Sequence, residues 1–388
     1  MKQKSKILIA EQKETLKMKR TARIISESEY QKQIHLLEAD TATIAANFTK
    51  AYEAGPAEMR AYLDGPEGSS EEARALLQKQ AADNDGDASD DKISIGKGGG
   101  AAMDYTPTQN EIDLMSSMSY PLGSAKTLIQ AINNPTAAGI VTSGEFIIDG
   151  HHRWSGAIGI GGSDAKVDST DIQWPGKDTA QILAAAQLTI AAKLGGTQPT
   201  PSQGAKFDTN ILDKGADVIA KMIIDNVGQK TDAGAPGALL NDDMMEKLCN
   251  SPNFAPTKIV LEWLGMKAAK KGNNKGPEDG YINFGTNYDD DKESAQTTIN
   301  QMRQAIAQKV AENLAALPKN DNAPVRADMP QFDPKVKGPK ASTVIGDLGA
   351  GNFNVTPPFA KESKNHILND LESILQESIT TWKNHRRK

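Results

Sequence analysis

The chain has 388 residues, enough to bury a sizeable core in two or three domains. A formal charge of −6 excludes a generic nucleic-acid coat, and a single cysteine, Cys249, excludes an intramolecular disulfide framework and fits a reducing compartment. Only 5% of residues are aromatic and 38% hydrophobic, which predicts that parts of the chain are extended, helical or loosely packed.

Residues 1–82 read as a helical arm. Lys2, Lys4, Lys6, Lys13, Lys17, Lys19, Arg20 and Arg23 make its start basic, and Ile44, Phe48 and Tyr52 follow at helical spacing. The basic start fits a solvated helix face or an arm that binds nucleic acid or a partner. Its apolar stretch, Ile7 to Ala10, is too short for a secretory leader, and no run reaches the ~20 apolar residues that span a bilayer. The expected setting is cytoplasmic, with no membrane partner. Gly55-Pro56 and Gly65-Pro66 punctuate the arm, and Glu71 to Ala82 forms a further short helix.

Residues 83–102 read as an acidic, Gly-rich linker. Asp83-Asn84-Asp85-Gly86-Asp87 resembles the start of a calcium loop, but the twelfth position is Ser94 instead of glutamate. The run from Gly96 to Ala101 lacks the Gly-Lys-Ser/Thr ending of a phosphate-binding loop. Thr108 to Asn133 carries helices with Ile112, Met115, Met118, Leu128, Ile129 and Ile132 as core positions. Pro135 ends them, and Gly139 marks a turn.

The densest chemical signature is Val141 to Gly159, VTSGEFIIDGHHRWSGAIG. Glu145 to Ile148 is a short apolar run suited to a buried strand, and Asp149-Gly150 breaks it. His151 then opens a helix through Ile158. Backbone N–H groups at a helix start lack internal partners and bind anions. Two imidazoles and the Arg153 guanidinium beside them point to a phosphate or carboxylate site. Asp149 fits several roles: orienting a histidine, binding a metal, acting as a base, or capping the following turn. Trp154 reads as core. Adjacent histidines diverge on a helix, so His151 and His152 do not form a zinc site, and His35, His366 and His385 are distant in sequence.

The DGHHRW turn after an apolar strand resembles the signature of the ParB/sulfiredoxin-like superfamily. That group includes chromosome-partition CTPases, sulfiredoxin, nuclease-like members and ADP-dependent serine kinases. Tyr105 to Gln109 resembles the family's opening P-x-Q segment, and Lys166 to Ile172 resembles the strand after the signature helix. The likeness spans roughly residues 103–175. It implies a turn that cradles nucleotide phosphates, with Gly150, His151, His152, Arg153 and Gln109 as binding residues. It also implies Asp149, His152 and Glu111 as catalytic candidates, and ATP/ADP or CTP with Mg²⁺ as cofactor. The implied activity is phosphotransfer or nucleotide hydrolysis. Three departures matter. The turn has no cysteine, so sulfiredoxin activity is not expected. The acidic position of the kinases is held by Gln109, with Glu111 two residues on. No helix-turn-helix of the partition type is evident.

Residues 176–317 read as a helical domain: helices over 179–194, 210–226, 242–249, 256–270 and 294–317, with 281–291 irregular. Residues 318–360 form a Pro-rich extended linker, and 361–388 an amphipathic terminal helix. The fold expected is α+β, a small mixed-sheet ParB/sulfiredoxin-like core between large helical extensions. Such arms suit a homo-oligomer or larger assembly, and their style resembles proteins encoded by large tailed phages. Two further readings follow: a phage virion or assembly protein using the fold as a scaffold, and a DNA-associated nuclease-like or partition-like factor.

Overall fold

In a computed structural model, the residues described are 15–21, 24–27, 30, 41–68, 94–173, 178–194, 209–229, 238–269, 275–285, 292–325 and 328–329. They fall into two compact units. One unit takes the described residues within 96–173 and 203–326, and the other those within 1–95, 174–202 and 327–388. The expected helices over 71–82 and 361–388, and the acidic run 83–93, lie outside the described residues.

In the helical unit, α1 (Thr41–Ala54) and α2 (Pro56–Asp64) meet at Gly55-Pro56, with the proline where its missing N–H is harmless. Ile44, Tyr52, Met59 and Leu63 are buried from these helices.

The other unit holds an α+β core. Its strands are β1 (Ser94–Ala101), β2 (Thr106–Pro107), β3 (Thr136–Ser143), β4 (Phe146–Asp149) and β5 (Lys166–Gln173). They form one mixed sheet in the order β1-β5-β3-β4-β2. β3 pairs antiparallel with β4 and parallel with β5, while β2 pairs parallel with β4. Helices α3 (Leu114–Met118), α4 (Ala125–Asn133) and α5 (His151–Gly161) follow β2, precede β3 and follow β4 respectively. α6 (Thr179–Leu194) belongs to the helical unit, where it packs on α1 and α2. Beyond it, α7 (Ala216–Asp225), α8 (Asp242–Leu248), α9 (Ala255–Leu264) and α10 (Lys292–Ala315) return to the sheet unit.

The core explains the patterning. Ile140, Ile147, Trp154, Ile158 and Val167 are buried together, each worth about 1.5–3 kcal/mol against exposure. α10 lies against α5, where the Asn313 amide donates to Gly159 O at 3.0 Å. Cys249 is packed in the same core, and burial pushes its thiol up to about 12, so it behaves as an apolar residue.

Four local expectations are corrected. Residues 94–101, read as linker, form β1. A Cβ on Gly98 would stand 2.4 Å from Ser169 Oγ, so the glycines allow close strand approach that composition alone does not signal. Gly139 is not a turn. It lies inside β3 at φ +69, where the register against β5 shifts between Ala138 and Ile140: a β-bulge. The turn falls instead at Gly144, φ +56. Finally, Lys267–Ala269 and Tyr281–Asn283, read as helix end and irregular chain, pair in parallel as β6 and β7. Three-residue strands are too short for alternation to register in sequence.

Candidate functional site

β4 delivers Asp149 to the sheet end, and the chain reverses at Gly150, φ +97 and ψ 21. This left-handed geometry favours glycine. A Cβ there would also lie 3.1 Å from Arg153 Nη2 and 3.2 Å from Ile140 Cγ1. α5 starts at once, with no side-chain hydrogen bond from Gly150 to cap it. Its first turn carries the positive end of the helix dipole.

The four residues of the turn separate into different environments. Arg153 Nη2 donates to Asp149 Oδ2 at 3.1 Å, and its guanidinium lies beside the Gly139 bulge. His151 is 5% exposed, and its Nε2 accepts the Thr108 backbone N–H at 3.1 Å. Thr108 Oγ1 donates in turn to Ile147 O, which ties β2 to β4. Trp154 is fully buried, with its indole N–H on Ala102 O at 2.7 Å.

His152 faces α3. Its Nδ1 lies 3.2 Å from Ser117 Oγ. Ser155 Oγ donates to Ser117 Oγ at 2.8 Å, and Ser117 Oγ donates to Asp113 O at 2.7 Å. Gly156 makes this juxtaposition feasible: a Cβ there would stand 2.7 Å from Ser117 O, so α3 and α5 approach at backbone distance.

His152, Arg153, Gly156 and Ala157 form one wall of a cleft of about 820 Å³. Opposite are Ser116, Ser117, Tyr120 and Pro121, the end of α4 from Gln130 to Asn134, and the start of β3. Tyr120 is 56% exposed. Among the described residues, the titratable side chains lining the cleft are His152, Arg153 and Tyr120, with no carboxylate in that lining. A ligand therefore meets a positive guanidinium, an imidazole and a set of amides and hydroxyls.

The sequence-derived candidates are brought together only in part. His152 and Arg153 reach the cleft, with Asp149 held against Arg153. His151 does not line it, because its ring fastens the end of β2 inside the unit. Gln109 is buried and Glu111 half-buried, and neither lines the cleft. Ser117, Ser155, Tyr120, Asn133 and Asn134 were not legible as site residues, since isolated serines and amides carry no motif. Among the described residues no group of three His, Cys, Asp or Glu side chains is placed to hold a metal, and no helix is long and apolar enough to cross a membrane.

No protein-family model, no curated protein and no solved structure matches this chain.

Proposed function

We propose that the cleft binds a nucleotide through its phosphates, and that residues 103–175 form a ParB/sulfiredoxin-like core that presents them to His152 and Arg153. The observation that carries this reading is the joint placement of both side chains, in the first turn of α5, on a cleft whose described lining residues include no carboxylate. Positive helix dipole, guanidinium and imidazole all favour an anion there. The volume lies within the range of small-molecule sites, and the amides of Gln130, Asn133 and Asn134 suit the polar edges of a base or ribose.

The chemistry that fits is phosphotransfer or nucleotide hydrolysis. Arg153 steadies phosphate charge, and Asp149 competes with the phosphate for its guanidinium. An imidazole suits proton transfer near neutral pH, so His152 carries the acid–base role among the described lining side chains. Mg²⁺ would arrive on the phosphates, as the described lining residues offer it no carboxylate.

Calorimetric titration with ATP, ADP, CTP and GTP, with and without Mg²⁺, tests this. Wild type binds at least one nucleotide, and His152→Ala with Arg153→Ala loses at least about tenfold in affinity. Equal binding by both proteins sinks the assignment of the turn. No binding by wild type removes the nucleotide reading and brings forward the assembly protein that keeps the fold as a scaffold.

A further inference from the structure

We propose that Ser117 is a positioning residue: it holds the His152 imidazole in its Nδ1–H form and thereby makes Nε2 the nitrogen that titrates beside a bound anion. The proposal rests on the phosphate-binding reading for the anion, but its first test does not.

The argument is a proton count. Ser117 has one hydroxyl proton, and Asp113 O takes it at 2.7 Å. The lone pairs of Ser117 Oγ then act as acceptors. Ser155 Oγ–H supplies one partner at 2.8 Å, and His152 Nδ1 is the other at 3.2 Å. Nδ1 must therefore be the donor. A neutral imidazole has a single N–H, so Nε2 carries its lone pair. Free histidine prefers the opposite tautomer, and the hydroxyl pair reverses that preference. A proton added at Nε2 leaves the Ser117 bond intact, so the ring gains positive charge without turning.

His151 shows the alternative. Its Nε2 already accepts the Thr108 N–H at 3.1 Å. A proton there would set two N–H groups against each other, so this nitrogen is committed as an acceptor.

Several described groups surround His152. Arg153, on the same helix, opposes a second positive charge, and Asp149 partly offsets it through their ion pair. Tyr120 faces the cleft from the turn after α3. The Asp113 carboxylate is engaged by Ser116 N and Oγ and by Thr209 Oγ1. The end of α4 and the start of β3 contribute only amides, hydroxyls and apolar groups to the cleft.

The test is nitrogen-15 NMR of the full chain with labelled histidine. Five histidines give a tractable spectrum, and His152→Gln assigns the signal. Above pH 8 the His152 ring of wild type shows the Nδ1–H pattern. Ser117→Ala shifts it toward Nε2–H, and Ser117→Thr, which restores a hydroxyl, shifts it back. Ser117→Cys, of similar size and a weaker acceptor, serves if the alanine variant does not fold. An Nε2–H pattern in wild type overturns the inference whatever the protein binds. Inorganic triphosphate then reads the consequence. The affinity of wild type relative to His152→Gln rises about tenfold from about pH 8 to about pH 5.5, a ratio that cancels the ligand's own titration. A flat ratio with the Nδ1–H pattern intact overturns the phosphate reading, and with it the charge role of Ser117.

Discussion

His151 and His152 leave the first turn of α5 toward different parts of the molecule. His151 is buried, and its Nε2 is consumed by the Thr108 backbone N–H. His152 lines the cleft, and its Nδ1 is held by Ser117. Adjacent residues on a helix point roughly 100° apart, so one imidazole serves the core and the other the cleft. Identical chemistry thus performs two tasks, and the partner atom decides which. The first ring is a structural acceptor. The second, in the role proposed above, gains charge beside a ligand.

Substitutions sharpen this contrast, and the largest effect belongs to the buried ring. His151→Ala leaves the Thr108 N–H without its acceptor and opens a cavity, which costs about 2–4 kcal/mol. His152→Ala costs under about 1 kcal/mol, as expected for a partly exposed side chain. Urea denaturation of both variants checks this, and equal losses would break the comparison. Next comes Arg153→Ala. Triphosphate affinity falls about tenfold to hundredfold in calorimetry, while stability changes by no more than about 1 kcal/mol. Gly150→Ala forces a Cβ into a left-handed turn and costs about 1–2 kcal/mol, visible as a lowered melting temperature. The smallest effect is Asp149→Asn. The Arg153–Asp149 pair is 52% and 34% exposed, so it contributes at most about 1 kcal/mol. Releasing Arg153 tightens triphosphate binding by up to about fivefold. Lost turnover with unchanged binding would instead make Asp149 a base.

Much of the local architecture around this turn was legible. An apolar β-branched run stopped by Asp149-Gly150, then His151 onward at helical spacing, leads to β4, a left-handed glycine and α5. The helix over Thr179–Leu194 was equally plain from its apolar, alanine-rich composition. What sequence did not show depends on partners far along the chain. Thr108 decides the fate of His151, and Ser117 that of His152, each from dozens of residues away. The Gly96 to Gly100 run has poor strand propensity, and the close approach of β5, with Thr142 of β3, explains why glycine is needed at Gly98 and Gly99. The bulge at Gly139 is likewise set by pairing with β5, which lies beyond α5 in the chain.

The packing of α10 on α5 has a consequence for synthesis. Roughly 130 residues separate the end of α5 from the start of α10, so a ribosome adding about 5–20 residues per second leaves on the order of ten seconds between them. During that interval the strands and α5 have emerged, but Leu314 and Asn313, which close over Gly159 and Gly162, have not. The nascent sheet unit therefore waits with an apolar helix face uncovered. A fragment ending after β5 would keep the His152–Arg153 turn while lacking the helix that covers α5, and would favour self-association over solubility.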